Sequence, residues 1–139
     1  MANANSVQYA NIYVNKYITD ARDLRGRAVP LPFDHTVASD ANGDTINLCV
    51  IPAYSKVVGL DVANEALGAS TTLALGDAGS ATRYLVATAV TSAGKNNGLL
   101  IAGQNYEPTS DTIVLATWGG ATPTNGAKIS GIIWVIPAV

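Results

Sequence analysis

From residue 45 onward, the apolar positions fall in short runs with turn residues between them. In "TINLCVI" (45–51), Ile46, Leu48 and Val50 share the face set by a two-residue repeat. In "KVVGLDVA" (56–63), Val58, Leu60 and Val62 do the same. "TTLAL" (71–75), "RYLVAT" (83–88), "NGLLIAG" (97–103), "DTIVLAT" (111–117) and "KISGIIWVI" (128–136) follow. "GDAGS", "SAGKNN" and "GGATPTNG" separate them. Many short strands joined by Gly, Asn and Pro turns predict a β-sandwich or barrel rather than βαβ units. Residues 61–69 have room for a helical turn, but no long amphipathic helix is evident.

Upstream the pattern changes. "AVPLPFDHTVASDANG" (28–43) reads as loop, because Pro30 and Pro32 exclude a helix and disfavour a central strand. "DANGD" (40–44) is a strong turn signal. In residues 7–19, Tyr9, Tyr13 and Tyr17 recur every four residues, which would put the rings on one helical face. The β-branched and aromatic content of "NIYVNKYIT" favours an extended chain instead. The segment therefore reads as a strand or extended arm, with a short helix as the alternative. The resulting organisation is an N-terminal arm over residues 1–30 and a β-sandwich body over 31–139.

Composition sharpens this. Of 139 residues, 48% are hydrophobic and only 13% are charged; typical soluble domains carry about 25% charge. No apolar run approaches the roughly 18–20 residues of a spanning helix, and the chain is not aromatic-rich enough to suggest the girdles of a membrane barrel. The start has no basic region followed by an apolar one, so it does not read as a secretory signal. The remaining explanation for so little charge is a surface that faces other protein. Net charge is −2, which argues against nucleic-acid binding by the chain as a whole. Lys16, Arg22, Arg25 and Arg27 nevertheless make the arm mildly basic against Asp20 and Asp23. Tyrosine and arginine are favoured interface residues. Tyr9, Tyr13, Tyr17, Arg22, Arg25 and Arg27 are thus the candidate contacts, on an arm able to reach on the order of 90 Å. The same residues could stack on and neutralise a nucleic acid, but four bases diluted by two acids are a weak signal for it.

Candidate chemistry is thin. "LGDAGSATRYL" (75–85) loosely resembles a phosphate loop, yet Gly76 and Gly79 are too close together, no lysine follows, and the next run reads as a strand. Ser80 is not in a nucleophile elbow. A turn whose glycines supply positive φ is the better reading. Asp40, Asn42 and Asp44 resemble part of a calcium loop, but glycine falls at the fourth position and Ile51 at the twelfth, so a turn again reads better. His35 is the only histidine and Cys49 the only cysteine, which leaves no disulfide and a poor metal set. His35 reads as a loop residue bonded to local backbone, and Cys49 as a buried reduced thiol. Glu65 and Glu107 lie in no paired-carboxylate context. Trp118 belongs either to the core or, beside "GGATPTNG", to an exposed sugar platform.

Three segments resemble a known group. They are "NGDTINLCVIPAYSKVVGLDV" (42–62), "STTLALGDAGSATRYLVATAVTSAG" (70–94) and "SDTIVLATWGGATPTNGAKISGIIWVI" (110–136). Together they resemble the small virion proteins of tailed bacteriophages, over roughly residues 43–136 and through loose structural motifs. The shared features are G-D-x-I-x-L before a proline, an L-G-D stretch ending in an aromatic, and T-I-x-x-x-x-x-G-x-A before a hydrophobic last strand. The resemblance implies an all-β, jelly-roll-like sandwich and a head decoration (cement) protein. It also implies a homotrimer on the outer surface of the head, partnered by the major capsid protein. Such a protein needs no catalytic group, cofactor, membrane, nucleic acid or small-molecule substrate. A receptor- or glycan-binding module of a head fibre or tail is the alternative, since jelly rolls also host lectins.

Overall fold

The computed structural model describes residues 27–137. Eight strands follow one another: β1 Val29–Thr36, β2 Thr45–Ile51, β3 Lys56–Asn64, β4 Thr72–Gly76, β5 Leu85–Ala89, β6 Gly94–Asn96, β7 Thr112–Gly119 and β8 Lys128–Ile136. They form two antiparallel four-stranded sheets, ordered β1-β8-β3-β6 and β2-β7-β4-β5. β1 pairs with β8, β2 with β7, β3 with β6 and β4 with β5. These are the pairings of one long hairpin, β1 to β4 running out and β5 to β8 running back. Rolling that hairpin brings β3 beside β8 and β4 beside β7. The result is the eight-stranded jelly roll, so the expected all-β sandwich is what forms. Among the described residues no helix is long and apolar enough to cross a membrane.

The core lies between the sheets. Ile51, Val57, Leu60, Val62, Leu73, Leu75, Val114, Trp118, Ile129, Ile133 and Val135 are all buried there. Each such aliphatic side chain contributes about 1.5–3 kcal/mol by leaving water.

Four local expectations change. Residues 29–36 form a strand and not a loop. β1 is the edge of its sheet, so Pro30 and Pro32 pair with Trp134 and Ile132 while their missing N–H groups face away from the ladder. Strict alternation fails in β2 and β3, where the pairing slips between Asn47 and Cys49 and between Val57 and Gly59. A bulge moves later residues to the other face. Ile51 and Val57 are therefore buried, while Val50 is exposed and Val58 only half-buried. "NGLLIAG" (97–103) is not a strand but part of the long β6–β7 connection. Arg83 and Tyr84 also precede β5, in the turn.

The two sheets differ in charge. Asp34 lies on β1, Lys56 and Asp61 on β3, Lys95 on β6 and Lys128 on β8. The strands β2, β4, β5 and β7 carry no charged residue. Part of the low charge of the chain is thus concentrated in one sheet.

Candidate functional site: two polar locks and an apolar surface

The most site-like stretch of the sequence is the β4–β5 turn. Asp77 is buried at its centre. Its Oδ1 accepts from the amides of Gly79 and Ser80, both at 3.0 Å. Its Oδ2 accepts from Arg83 Nε at 2.7 Å and from the Tyr84 hydroxyl at 3.1 Å. The Arg83 guanidinium carbon lies 4.0 Å from the centre of the Tyr106 ring, which meets Tyr84 edge-on at 6.4 Å. Burial alone would raise the Asp77 pKa. The bonds from Arg83, Ser80 and Tyr84 outweigh it and hold the carboxyl below its ordinary range. The same buried setting, and the adjacent carboxylate, push the Tyr84 hydroxyl upward.

This arrangement explains why the stretch is no anion site. The amides that would cradle a phosphate are already taken by the chain's own carboxylate. With four donors, that carboxylate has no lone pair left for proton transfer. The glycines also act differently from expectation, since neither Gly76 nor Gly79 has positive φ. A Cβ on Gly76 would run into the backbone of Ser80 and Ala81, and one on Gly79 would crowd Arg83 at 3.1 Å. They are needed for space. Sequence reading missed Asp77 as the organiser, although an Asp two and three residues before the amides it caps is an Asx-turn signature.

A second lock closes the opposite end of the sandwich. Trp118 Nε1 donates to Asp40 Oδ2 at 3.0 Å, and His35 Nε2 donates to the same oxygen at 2.7 Å. His35 is therefore a strand residue bonded to a side chain, not a loop residue bonded to backbone. Burial opposes ionisation of Asp40, but the His35 and Trp118 bonds prevail and lower its pKa. Asp44 Oδ2 accepts from the Ala41 amide at 2.8 Å, and Gly43 turns the chain with φ +91°. The 40–44 segment is thus a turn. Among the described residues, no group of three or more His, Cys, Asp or Glu is placed to hold a metal. Trp118 is 1% exposed, so it belongs to the core and offers no sugar platform.

Of the candidate contact residues, Tyr9, Tyr13, Tyr17, Arg22 and Arg25 lie outside the described residues. Arg27 is exposed and precedes β1 by two positions. Cys49 is a free thiol, partly buried, and burial pushes its pKa up to about 11. On the outer face of the charged sheet, a groove of about 660 Å³ runs past Pro32, Asp34, Asp61, Lys95 and Ile132. At Gly131, on the core-facing side of β8, a Cβ would strike the buried Phe33 and the Asp61 carbonyl. Among the described residues, the exposed large apolar ones are Val29, Val50, Tyr54, Val86, Ile101 and Ile113.

No protein-family model matches the sequence, and no curated protein does. Solved structures do match in fold. A chain of the cyanophage Pam1 capsid asymmetric unit superposes with TM-score 0.66 at 22% identity, covering 81% of this chain and 86% of that one. A chain of the capsid of Ralstonia phage GP4 gives 0.70 at 19%, covering 89% and 93%. The fold is one found in phage capsid structures. A chain of the acidic stable capsid structure of Helicobacter pylori bacteriophage KHP30 gives 0.56 at 18%, covering 79% and 90%. The jelly roll described above is therefore similar along most of its length to chains of three phage capsid structures.

Proposed function

We propose that the protein is a structural component of a phage virion that decorates the outside of the head and cements contacts between major capsid protein subunits. The observation that carries this reading is the fold itself. An eight-stranded jelly roll, matched over most of the chain, is shared with chains of several phage capsid structures. Two features of the chain agree with it. One whole sheet lacks charge, which suits a subunit that lies against other protein. The Asp77 carboxylate is saturated by its own hydrogen bonds, and the Asp40 carboxylate ties His35 to Trp118, so both clusters serve the fold. In this reading the protein acts as a homotrimer, and stabilisation comes from apolar contact repeated over many copies, at roughly 25 cal/mol per Å² less the costs of association. Tyr9, Tyr13, Tyr17, Arg22, Arg25 and Arg27 are the contacts through which the arm grips the shell.

The test is to delete residues 1–27 and measure occupancy on heads assembled without the protein. The truncated chain keeps β1 to β8, so it should keep the β-sheet circular dichroism signal and cooperative unfolding of the body while losing head binding. Full occupancy by the truncated chain overturns the arm assignment. Copy number in purified particles tests the wider reading: near-stoichiometric amounts relative to the major capsid protein support cement, and three to a dozen copies point to a fibre or tail part.

A further inference from the structure

The two tryptophans are placed differently. Trp118 is buried between the sheets, whereas Trp134 is half-buried on the outer face of β8. Strand register fixes what lies around it. Successive rows across that face are Pro30–Trp134–Gly59, then Pro32–Ile132–Asp61, then Asp34–Ser130–Ala63. Lys95 of β6 extends the third row by pairing with Ala63. The indole leans onto the bare backbone of β3, since a Cβ on Gly59 would stand 3.1 Å from Trp134 Cδ1. Part of the ring stays open to water, and among the described residues no protein acceptor is bonded to its Nε1–H.

The groove of about 660 Å³ begins at the row next to Trp134 and fills the second and third rows. A smaller hollow of about 370 Å³ continues it past Asp34 and Ser130 to Glu65 and Lys128. From Trp134 to Lys128 the path follows β8 for roughly 20 Å at the rise of an extended strand. The groove has the size of a ligand site, which runs to about 300–1,000 Å³. Its floor is apolar, from Pro32 and Ile132, and its sides are polar. Asp34 is exposed, and among the described residues no donor occupies its carboxylate. Asp61 lies 3.6 Å from the Lys95 ammonium. Along the whole face, the carboxylates Asp34, Asp61 and Glu65 are balanced by Lys56, Lys95 and Lys128.

We propose that this face is a carbohydrate-binding groove, taking a neutral oligosaccharide laid along β8 with one sugar ring against Trp134. The activity is additional to the cementing role and does not rest on it. Balanced charge selects the ligand class. An anion would meet three carboxylates and a cation three ammonium groups. A purely apolar ligand would strip water from Asp34 and Asp61 and replace none of their hydrogen bonds. Sugar hydroxyls both donate and accept, so they can satisfy carboxylate and ammonium alike. The C–H face of a pyranose is apolar and is drawn out of water onto an indole. A peptide strand is a poorer match. It would add to a sheet edge through main-chain bonds, whereas this groove lies on the face of three paired strands and offers side chains.

The experiment uses the purified full-length protein and a printed array of bacterial surface oligosaccharides, neutral and acidic. The best-bound member is then titrated by calorimetry against wild type and three variants. Asp34→Ala and Trp134→Ala alter the groove, and Thr45→Ala changes an exposed residue of the other sheet. Melting curves confirm that each variant is folded, and the exposed Asp34 carries the test if Trp134→Ala is not. Wild type should bind a neutral member, Asp34→Ala and Trp134→Ala should each bind it at least about tenfold more weakly, and Thr45→Ala should match wild type. Binding to no neutral member overturns the proposal. So does wild-type affinity in folded Asp34→Ala, which would put the sugar elsewhere. Occupancy on heads is a separate measurement, so the virion reading stands or falls independently.

Discussion

At the scale of single residues, Asp77 has the largest consequence. Its carboxylate sits 3% exposed against an arginine that is 20% exposed, and two backbone amides also depend on it. Asp77→Asn leaves the Arg83 charge without its partner, a loss of about 3 kcal/mol when one member of a buried pair is removed. Urea denaturation at pH 7 checks that value. The pH dependence follows from the direction of the shift. A carboxyl whose folded pKa lies below its unfolded value of about 3.9 adds stability that is present in full above that pH and is lost as pH falls through the folded pKa. Wild type should therefore lose stability steeply below about pH 4, and Asp77→Asn should lose less over the same range, leaving only Asp40 of the two locks to titrate. Equal acid slopes in both proteins would show that Asp77 does not carry the effect. Cys49 supplies a separate check. With its pKa pushed up to about 11, little thiolate is present at pH 8, so a thiol reagent should label the native protein far more slowly than the urea-unfolded chain.

At the scale of elements, the strands differ in how their edges are guarded. β1 and β6 close one sheet, and β2 and β5 close the other. β6 is three residues long, β5 is five, and β2 is broken by a bulge. β1 has eight residues, and Pro30 and Pro32 remove two of the donors from its outer edge. Replacing both with valine restores two N–H groups on that edge. The variant should melt within a few degrees of wild type and yet self-associate at concentrations where wild type does not, as light scattering would show. Unchanged scattering would mean that another feature protects β1. The same residues explain what was legible in the sequence. The apolar runs gave β2, β3, β7 and β8 nearly to the residue, although only β7 alternates strictly between core and surface. The prolines hid β1, because an edge strand tolerates what a central strand cannot. The bulges hid the exchange of Val57 for Val58, because a register slip leaves no mark in composition. The run "NGLLIAG" misled because Leu99 packs on the core from a connection rather than from a strand. In the turn at 77–84 the glycines were visible but their reason was not, since the crowding at Gly76 depends on backbone that approaches only after folding.

At the scale of the whole molecule, the topology sets how the protein must fold. Every pairing of the rolled hairpin except β4 with β5 joins distant parts of the chain, and the outermost one brings residue 29 against residue 135. Closing such loops costs chain entropy before any contact repays it, so all-β folds of this kind refold in milliseconds to seconds rather than microseconds. The innermost pair, β4 with β5, is the exception, and the Asp77 lock sits in its turn. Asp77→Asn should therefore slow refolding as well as speed unfolding if this hairpin is formed in the transition state, and should act on unfolding alone if it forms late. Trp118, buried between the sheets, is positioned to report sheet closure by fluorescence. Stopped-flow refolding of the two proteins from urea gives both rates. Because the roll winds outward from β4 and β5, the expected result is a clear fall in the folding rate. A folding rate equal to wild type, with the whole stability loss in unfolding, would place nucleation elsewhere in the roll.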